Sequence, residues 1–162
     1  LSRQDLKNLS IVAPDAGGAE RARAYAKRLG AELAVIDKRR SEDGTAEVMN
    51  VIGDIRGRTC VIADDIIDTA GTIQKAAQAL KESGAERVLA CAVHGVLSGP
   101  AIDRLKNSPL ARIVLTHTRP LPPEKQIDKI EVVSIAKVIA DALDAVFEDT
   151  SVSEIFGGAN QS

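Results

Sequence analysis

The stretch that decides the fold is Val61-Ile62-Ala63-Asp64-Asp65-Ile66-Ile67-Asp68-Thr69-Ala70-Gly71-Thr72. Its apolar start is typical of a buried strand, and a segment of helical periodicity follows from Ile73. We therefore predict a strand over residues 59–63, a loop that begins at Asp64, and a helix over residues 72–82 that Gly84 closes. Carboxylates accept hydrogen bonds from sugar hydroxyls, and a helix N-terminus with small residues offers N–H groups to a phosphate. The loop is therefore a candidate site for a sugar phosphate.

The same alternation of strand and helix continues on both sides of this stretch. Further strands are predicted at residues 10–13, 32–36, 87–93, 112–116 and 131–133, and further helices at residues 18–29, 100–106 and 135–147. The strands are rich in β-branched residues without strict alternation, which is typical of strands covered on both faces. The pattern predicts an α/β fold with a mostly parallel sheet flanked by helices. Ligands of such sheets bind at the carboxyl ends of the strands, so the loops after the strands are the places to look for function.

Composition excludes several classes of protein. The 162 residues suit one domain over residues 1–162, with 44% hydrophobic and 27% charged residues and a net charge of −2. That charge favours neither nucleic acid nor an anionic membrane as a partner. No apolar stretch reaches the length of a membrane span and no signal peptide is evident, so a cytoplasmic location is expected. Cys60 and Cys91 lie in apolar runs and are predicted to be buried thiols, and residues 157–162 are predicted to be a disordered tail.

Two other loops are predicted at the same edge of the sheet. Asp15 follows the first strand, where it is either a metal-binding or phosphate-facing carboxylate or simply a helix N-cap. Lys38-Arg39-Arg40 follows the second strand and precedes a polar stretch at residues 41–45. Three cations there either stabilise a polyphosphate on a mobile closing loop or form a solvated basic turn.

The acidic loop has a simpler alternative too, since Asp68 and Thr69 could merely cap the following helix. That alternative leaves Asp64 and Asp65 unexplained, because adjacent carboxylates repel each other unless a ligand or cation uses them. His94 and His117 also follow strands, but neither has a partner at metal-ligand spacing in the sequence. The functional interpretation is therefore favoured for the acidic loop alone.

The combination of motifs resembles one enzyme family. The segment from Asp64 to Thr72 resembles the ribose-phosphate and diphosphate loop of the type I phosphoribosyltransferase fold. Read with Pro14-Asp15-Ala16-Gly17-Gly18, Arg21-Ala22-Arg23-Ala24, Ile36-Asp37-Lys38-Arg39-Arg40, Glu47-Val48-Met49-Asn50 and Val96-Leu97-Ser98-Gly99-Pro100, it resembles ribose-phosphate pyrophosphokinase. The resemblance runs from about residue 12 to residue 156.

The resemblance implies synthesis of 5-phosphoribosyl diphosphate and AMP from ribose 5-phosphate and ATP, with Mg²⁺ as cofactor. It assigns the 5-phosphate to Asp68, Thr69, Ala70, Gly71 and Thr72, and the ribose hydroxyls to Asp64 and Asp65. Lys38 and Arg40 would be catalytic, Arg40 would also touch the sugar phosphate, and Asp15 would serve the metal. Ser151 and Ser153 resemble part of a regulatory phosphate site, although a plain polar turn explains them equally well.

The resemblance also sets limits. Family members are about twice as long, and this chain matches their second domain, so the missing N-terminal domain would supply most ATP-binding residues. We expect weak or no turnover from the chain alone and a homo-oligomer in the complete protein. The alternatives are a phosphoribosyltransferase, which shares the acidic loop, and a non-catalytic paralogue associated with the synthetase. Ala70 is expected to be harmless at negative φ and restrictive at positive φ.

Overall fold

The computed structural model describes residues 8–40 and 47–156, of which residues 39, 40, 47, 48, 154 and 156 are described by their backbone alone. Within these residues, seven strands form one sheet: β1 (Leu9–Ala13), β2 (Glu32–Arg40), β3 (Glu47–Ile52), β4 (Thr59–Ile67), β5 (Arg87–Gly95), β6 (Arg112–Thr116) and β7 (Ile130–Val133). The α-helices are α1 (Ala19–Leu29), α2 (Gly71–Glu82), α3 (Ala101–Lys106) and α4 (Ala136–Phe147). Short 3₁₀ turns occupy Ala16–Gly18, Pro123–Lys125 and Val152–Phe156.

The strand order is β3-β2-β1-β4-β5-β6-β7. All neighbours pair in parallel except β2 and β3, which form an antiparallel pair. The chain therefore builds the sheet outward in one direction from β1 and in the other direction from β4. The strand order reverses between β1 and β4, and in open α/β sheets a crevice for ligands forms at such a point.

Helices cover both faces of the sheet. Adjacent residues on β1 point to opposite faces, so Ile11 packs in the cluster under α1 and Val12 packs in the cluster under α2 and α3. Both side chains are fully buried. The same division holds along β4, where Val61 and Ile62 belong to different clusters. This double covering explains the continuous apolar runs in the sequence.

The four predicted helices and all six predicted strands are present, but one further strand was missed and β2 and β4 continue well beyond their predicted ends. The strand β3 was not predicted. The strand β2 continues to Arg40, so the segment 37–40, predicted as a mobile loop, is strand. It is held by pairing with β3, in which Lys38 lies opposite Met49. The strand β4 likewise continues through Asp64 and Asp65 to Ile67, because Ile66 pairs with His94 and Ile67 with Gly95 on β5.

The last helix, α4, lies apart from the sheet. In α4, Ala145 is buried, whereas Ile139, Leu143 and Phe147 are 52%, 53% and 85% exposed. The predicted tail at residues 157–162 and the polar stretch at residues 41–45 lie outside the described residues. Among the residues that are described, no helix combines the length and apolar character that a bilayer crossing needs.

Candidate functional site

A cleft of about 180 Å³ opens where β4 runs into α2. Asp15, Asp64 and the continuous run of residues 66–73 line it. The cleft thus lies beside the point where the strand order reverses, between the ends of β1 and β4. The structure brings together Asp15 and the acidic loop, as the sequence predicted.

The loop of residues 68–72 presents backbone donors to this cleft. Ala70 adopts φ 61° and ψ 9°, a left-handed conformation, and α2 begins at the next residue. No side chain caps the N-terminus of α2, so the alternative in which Asp68 or Thr69 caps this helix is wrong. The first-turn N–H groups of a helix have no partners within the helix, and they carry the positive end of its dipole. The cleft is therefore suited to an anion.

Asp64 and Asp65 lie at the end of β4 and share one cation. Arg21, on α1, places Nη1 3.4 Å from Asp64 Oδ1 and Nη2 3.1 Å from Asp65 Oδ2. The backbone N–H of Asp65 also donates to Asp64 Oδ1 over 2.9 Å. Arg21 thus offsets the repulsion that two adjacent carboxylates create.

The two carboxylates differ in their ionisation. Burial raises the pKa of Asp64 above its ordinary value, and the neighbouring Asp65 carboxylate adds to that rise, whereas Arg21 opposes it. The pKa of Asp65 is lowered, chiefly by its hydrogen bond with Asp64 and further by Arg21. The more exposed Asp65 therefore keeps its charge to lower pH, and as an ionised carboxylate it can accept hydrogen bonds from donors in solvent.

Asp15 has the N-cap role that the sequence offered, and its role toward a metal or a phosphate stays a prediction. Its Oδ1 accepts a hydrogen bond of 3.1 Å from the N–H of Gly18, which caps the 3₁₀ turn before α1. Its Oδ2 lies 3.7 Å from Lys38 Nζ. Lys38 therefore reaches the rim of the cleft from β2, although it lies on a strand. The side chain of Arg40 lies outside the described part of the chain.

Two residues that the sequence did not single out contact the loop from the segment after β5. Ser98 Oγ donates a short hydrogen bond to Asp68 Oδ1, and Ser98 N donates to Asp68 O over 3.1 Å. Arg104 Nη1, on α3, donates to Thr69 O over 2.9 Å. Ser98 appeared in the sequence only as part of a motif, and Arg104 carried no local signal because its partner lies 35 residues away.

The remaining candidates lie elsewhere. Ser151 and Ser153 share a 2.7 Å hydrogen bond near the end of the described chain, which agrees with a polar turn and leaves a regulatory role as a prediction. His94 Nδ1 lies 2.9 Å from Thr118 Oγ1, and His117 Nδ1 accepts from Ile135 N. Among residues 8–40 and 47–156, no group of three or more His, Cys, Asp or Glu side chains is placed to hold a metal ion.

The two cysteines are free, as predicted. Cys60 is buried and Cys91 is partly buried. Burial raises the pKa of both thiols to about 11, so neither has the character of a reactive thiolate at neutral pH.

The family model for the phosphoribosyl synthetase-associated domain matches residues 44–157, which is more than half of the chain. The chain therefore belongs to this family, and the family assignment made from the sequence is confirmed.

Curated relatives support the same assignment. A ribose-phosphate pyrophosphokinase of Caldanaerobacter subterraneus subsp. tengcongensis is 54% identical over 146 residues, which cover 90% of this chain and 46% of the relative. One of Bacillus cereus is 53% identical over 151 residues, which cover 93% of this chain and 48% of the relative. This chain thus spans about half the length of the curated relatives it matches.

Solved structures agree with the fold. The phosphoribosylpyrophosphate synthetase of Mycobacterium smegmatis superposes with a TM-score of 0.80 at 40% identity, over 88% of this chain and 46% of that one. An orotate phosphoribosyltransferase of Aeropyrum pernix gives a TM-score of 0.56 at 22% identity, over 87% of this chain and 68% of that one, which is a likeness of fold alone. The prediction of a mostly parallel sheet of the type I phosphoribosyltransferase kind is confirmed.

Proposed function

We propose that this chain is the ribose-phosphate-binding part of a ribose-phosphate pyrophosphokinase. That enzyme transfers a diphosphoryl group from ATP to ribose 5-phosphate and releases AMP. The observation that carries the proposal is the cleft itself, in which the loop of residues 68–72 faces Asp15 at the switch point of the sheet. The names of relatives that are 50–54% identical support the same activity.

The phosphate of the substrate suits the loop end of the cleft. Its charge would be stabilised by the uncapped N–H groups at the start of α2 and by the positive end of the helix dipole. The hydroxyls of Thr69 and Thr72, both lining the cleft, would add hydrogen bonds. A dianionic phosphate gains more from these donors than a neutral sugar does, so the phosphate would dominate the affinity.

The ribose ring suits the carboxylate end. Asp64 lines the cleft, and Asp65 is adjacent with its side chain 57% exposed. Ionised carboxylates only accept hydrogen bonds, so they match the donors of two ribose hydroxyls. Arg21 would orient both carboxylates and favour their ionised forms while the sugar approaches from the solvent side.

Lys38 and Arg40 would act on the diphosphoryl group. The 1-hydroxyl oxygen attacks the β-phosphorus, the bond from that phosphorus to the AMP oxygen breaks, and the hydroxyl proton is released. Negative charge shifts onto the phosphate oxygens during this transfer, and fixed cations stabilise it. Lys38 reaches the rim of the cleft through Asp15, 3.7 Å away.

Asp15 is a suitable ligand for a magnesium ion whose coordination the substrate phosphates would complete. Its carboxylate is a hard oxygen donor with a side chain 51% exposed. Magnesium is commonly held by one or two carboxylates together with substrate phosphates, so the lack of a larger ligand cluster among the described residues is compatible with it. The ion would neutralise phosphate charge. The ATP-binding residues, the N-terminal domain, a homo-oligomer and a cytoplasmic location remain predictions drawn from the family.

Calorimetric titration with ribose 5-phosphate tests the proposal. We expect binding by this chain and a loss of roughly tenfold or more in affinity for Asp65→Asn, because a hydrogen bond to a charged group contributes about 1.5–3 kcal/mol. The matched control is Asp54→Asn, an exposed carboxylate paired with Arg58 away from the cleft. Equal effects of both changes, or no binding at all, would contradict the proposal.

In a complete protein carrying this domain, Lys38→Ala should abolish turnover and leave sugar-phosphate affinity nearly unchanged.

A further inference from the structure

We propose that Arg104 is a positioning residue that shapes the loop of residues 68–72 for its anion. The inference deepens the proposed function, on which it rests for the identity of the ligand. Arg104 does not line the cleft, whereas Thr69 and Gly71 do. Its guanidinium contacts the loop outside the cleft, through the 2.9 Å bond from Nη1 to Thr69 O.

This contact controls which backbone groups face the ligand. A carbonyl oxygen aimed into the cleft would repel a phosphate, whereas an N–H group attracts it. The hydrogen bond turns the Thr69 carbonyl toward Arg104. Because the Thr69–Ala70 peptide is planar, the N–H of Ala70 points in the opposite direction. Arg104 also places a permanent positive charge next to the loop.

The loop needs such support because of its own conformation. Ala70 has φ 61°, which is costly for a residue with a β-carbon and persists when the surroundings determine it. Ser98 fixes the residue two positions before it through both its N–H and its hydroxyl. Arg104 fixes the carbonyl that immediately precedes it. The two contacts hold the chain in place just before its left-handed residue.

Arg104 is itself fixed by a rigid element. Ala101 and Leu105 of α3 are fully buried. Lys129 Nζ donates to three backbone carbonyls at the end of this helix, those of Leu105, Lys106 and Ser108, at 3.3, 2.9 and 2.8 Å. The guanidinium therefore extends toward the loop from a helix whose position is fixed.

Gly71 gives an independent observation. Its φ is not in the left-handed region, and it is the first residue of α2, where alanine is the better helix former. A β-carbon at this position would lie 3.3 Å from Arg104 Nη1 and 3.8 Å from Arg104 Cζ. The guanidinium thus leaves little room for a β-carbon here, and alanine would require the Arg104 side chain to shift by a few tenths of an ångström. Gly71→Ala should displace Arg104 without removing it.

The experiment compares Arg104→Gln, Arg104→Lys and Gly71→Ala with the parent chain, and uses Arg112→Gln, an exposed arginine paired with Glu131, as the matched control. Ribose 5-phosphate affinity is measured by calorimetry, and amide hydrogen exchange at residues 69–72 is measured without ligand. We expect Arg104→Gln to weaken binding tenfold or more and to speed exchange in the loop at least tenfold. Arg104→Lys should recover part of both effects, Gly71→Ala should reproduce them in weaker form, and Arg112→Gln should change neither.

The double variant separates positioning from a general loss of stability. If Gly71→Ala acts by displacing the guanidinium, it adds little to the effect of Arg104→Gln. Additive losses, or parent-like exchange and affinity in Arg104→Gln, would overturn the inference. Should Arg104→Gln fail to fold, Gly71→Ala and Arg104→Lys still decide it. If the parent chain does not bind ribose 5-phosphate but the exchange pattern follows the expectation, the positioning role stands and the proposed function fails.

Discussion

Ala70→Gly should leave the stability of this protein almost unchanged, although it removes a buried methyl group. Ala70 is 5% exposed and sits at φ 61°. Removing its methyl costs about 0.8 kcal/mol of burial, and glycine adds about 0.4–1 kcal/mol of chain entropy to the unfolded state. Glycine avoids the cost that a β-carbon imposes on the left-handed conformation, which stabilises the folded state by about 1–2 kcal/mol. These contributions cancel to within about 1 kcal/mol.

Ala76→Gly makes the same chemical change where no strain is relieved. Ala76 is fully buried in the middle of α2. Glycine in a helix interior costs about 1 kcal/mol, and the lost methyl adds about 0.8 kcal/mol, so we expect a loss of about 2 kcal/mol. The two variants should therefore differ by about 2 kcal/mol in the free energy of unfolding.

Urea unfolding at 25 °C, followed by circular dichroism, measures this difference. The slope of the free energy against urea must stay the same in both variants for the comparison to hold. Equal destabilisation by Ala70→Gly and Ala76→Gly would refute the assignment of strain to Ala70. A strongly stabilised Ala70→Gly would show instead that the strain is larger than the value used.

Three further predictions concern other parts of the molecule. Lys129→Met removes the hydrogen bonds that end α3 and should lower the free energy of unfolding by about 1–3 kcal/mol, as for a charge-assisted contact; an unchanged urea midpoint would show that the contacts are not maintained in solution. Cys60 and Cys91, with pKa values raised to about 11, should react with a disulfide reagent far more slowly in the folded chain at pH 8 than in urea, and fast labelling of the folded chain would contradict this. Because both thiols stay protonated to higher pH in the folded chain than in the unfolded chain, the free energy of unfolding should fall between the ordinary pKa of 9.0 and about pH 11. Arg21→Gln should raise the pKa of Asp64 further in a carbon-13 NMR titration, because a neighbouring positive charge is lost; a lowered pKa would rule out the ion pair.

The sequence predicted the architecture because its signals were local. Buried β-branched runs, helical periodicity and closing glycines such as Gly30, which has φ 61°, are each contained in a few residues. The acidic loop and Asp15 could be placed together because each directly follows a predicted strand, and parallel strands end at one edge of the sheet.

The boundaries that failed depend on pairing between distant segments. Asp64, Asp65 and the segment 37–40 have the composition of loops, yet hydrogen bonds to β5 and β3 extend both strands through them. The strand β3 was missed because it is defined mainly by its pairing with β2.

The contacts that shape the site were beyond sequence reasoning for the same reason. Arg21 reaches carboxylates 43 and 44 residues away, and Arg104 reaches a carbonyl 35 residues away. The left-handed φ of Ala70 is equally invisible in the sequence, because glycine or asparagine is the ordinary signal for that conformation.

The reversal of strand order between β1 and β4 divides the chain into two contiguous segments that meet at the cleft. Everything that supplies Asp15, Arg21 and Lys38 precedes residue 53, and everything that supplies the acidic loop and Arg104 follows residue 58. The exposed turn between them, with Gly53 and Gly57 at positive φ, links the two. If the chain is expressed as two fragments divided at this turn, sugar-phosphate binding becomes a direct signal of their reassembly, because neither fragment contains both sides of the site.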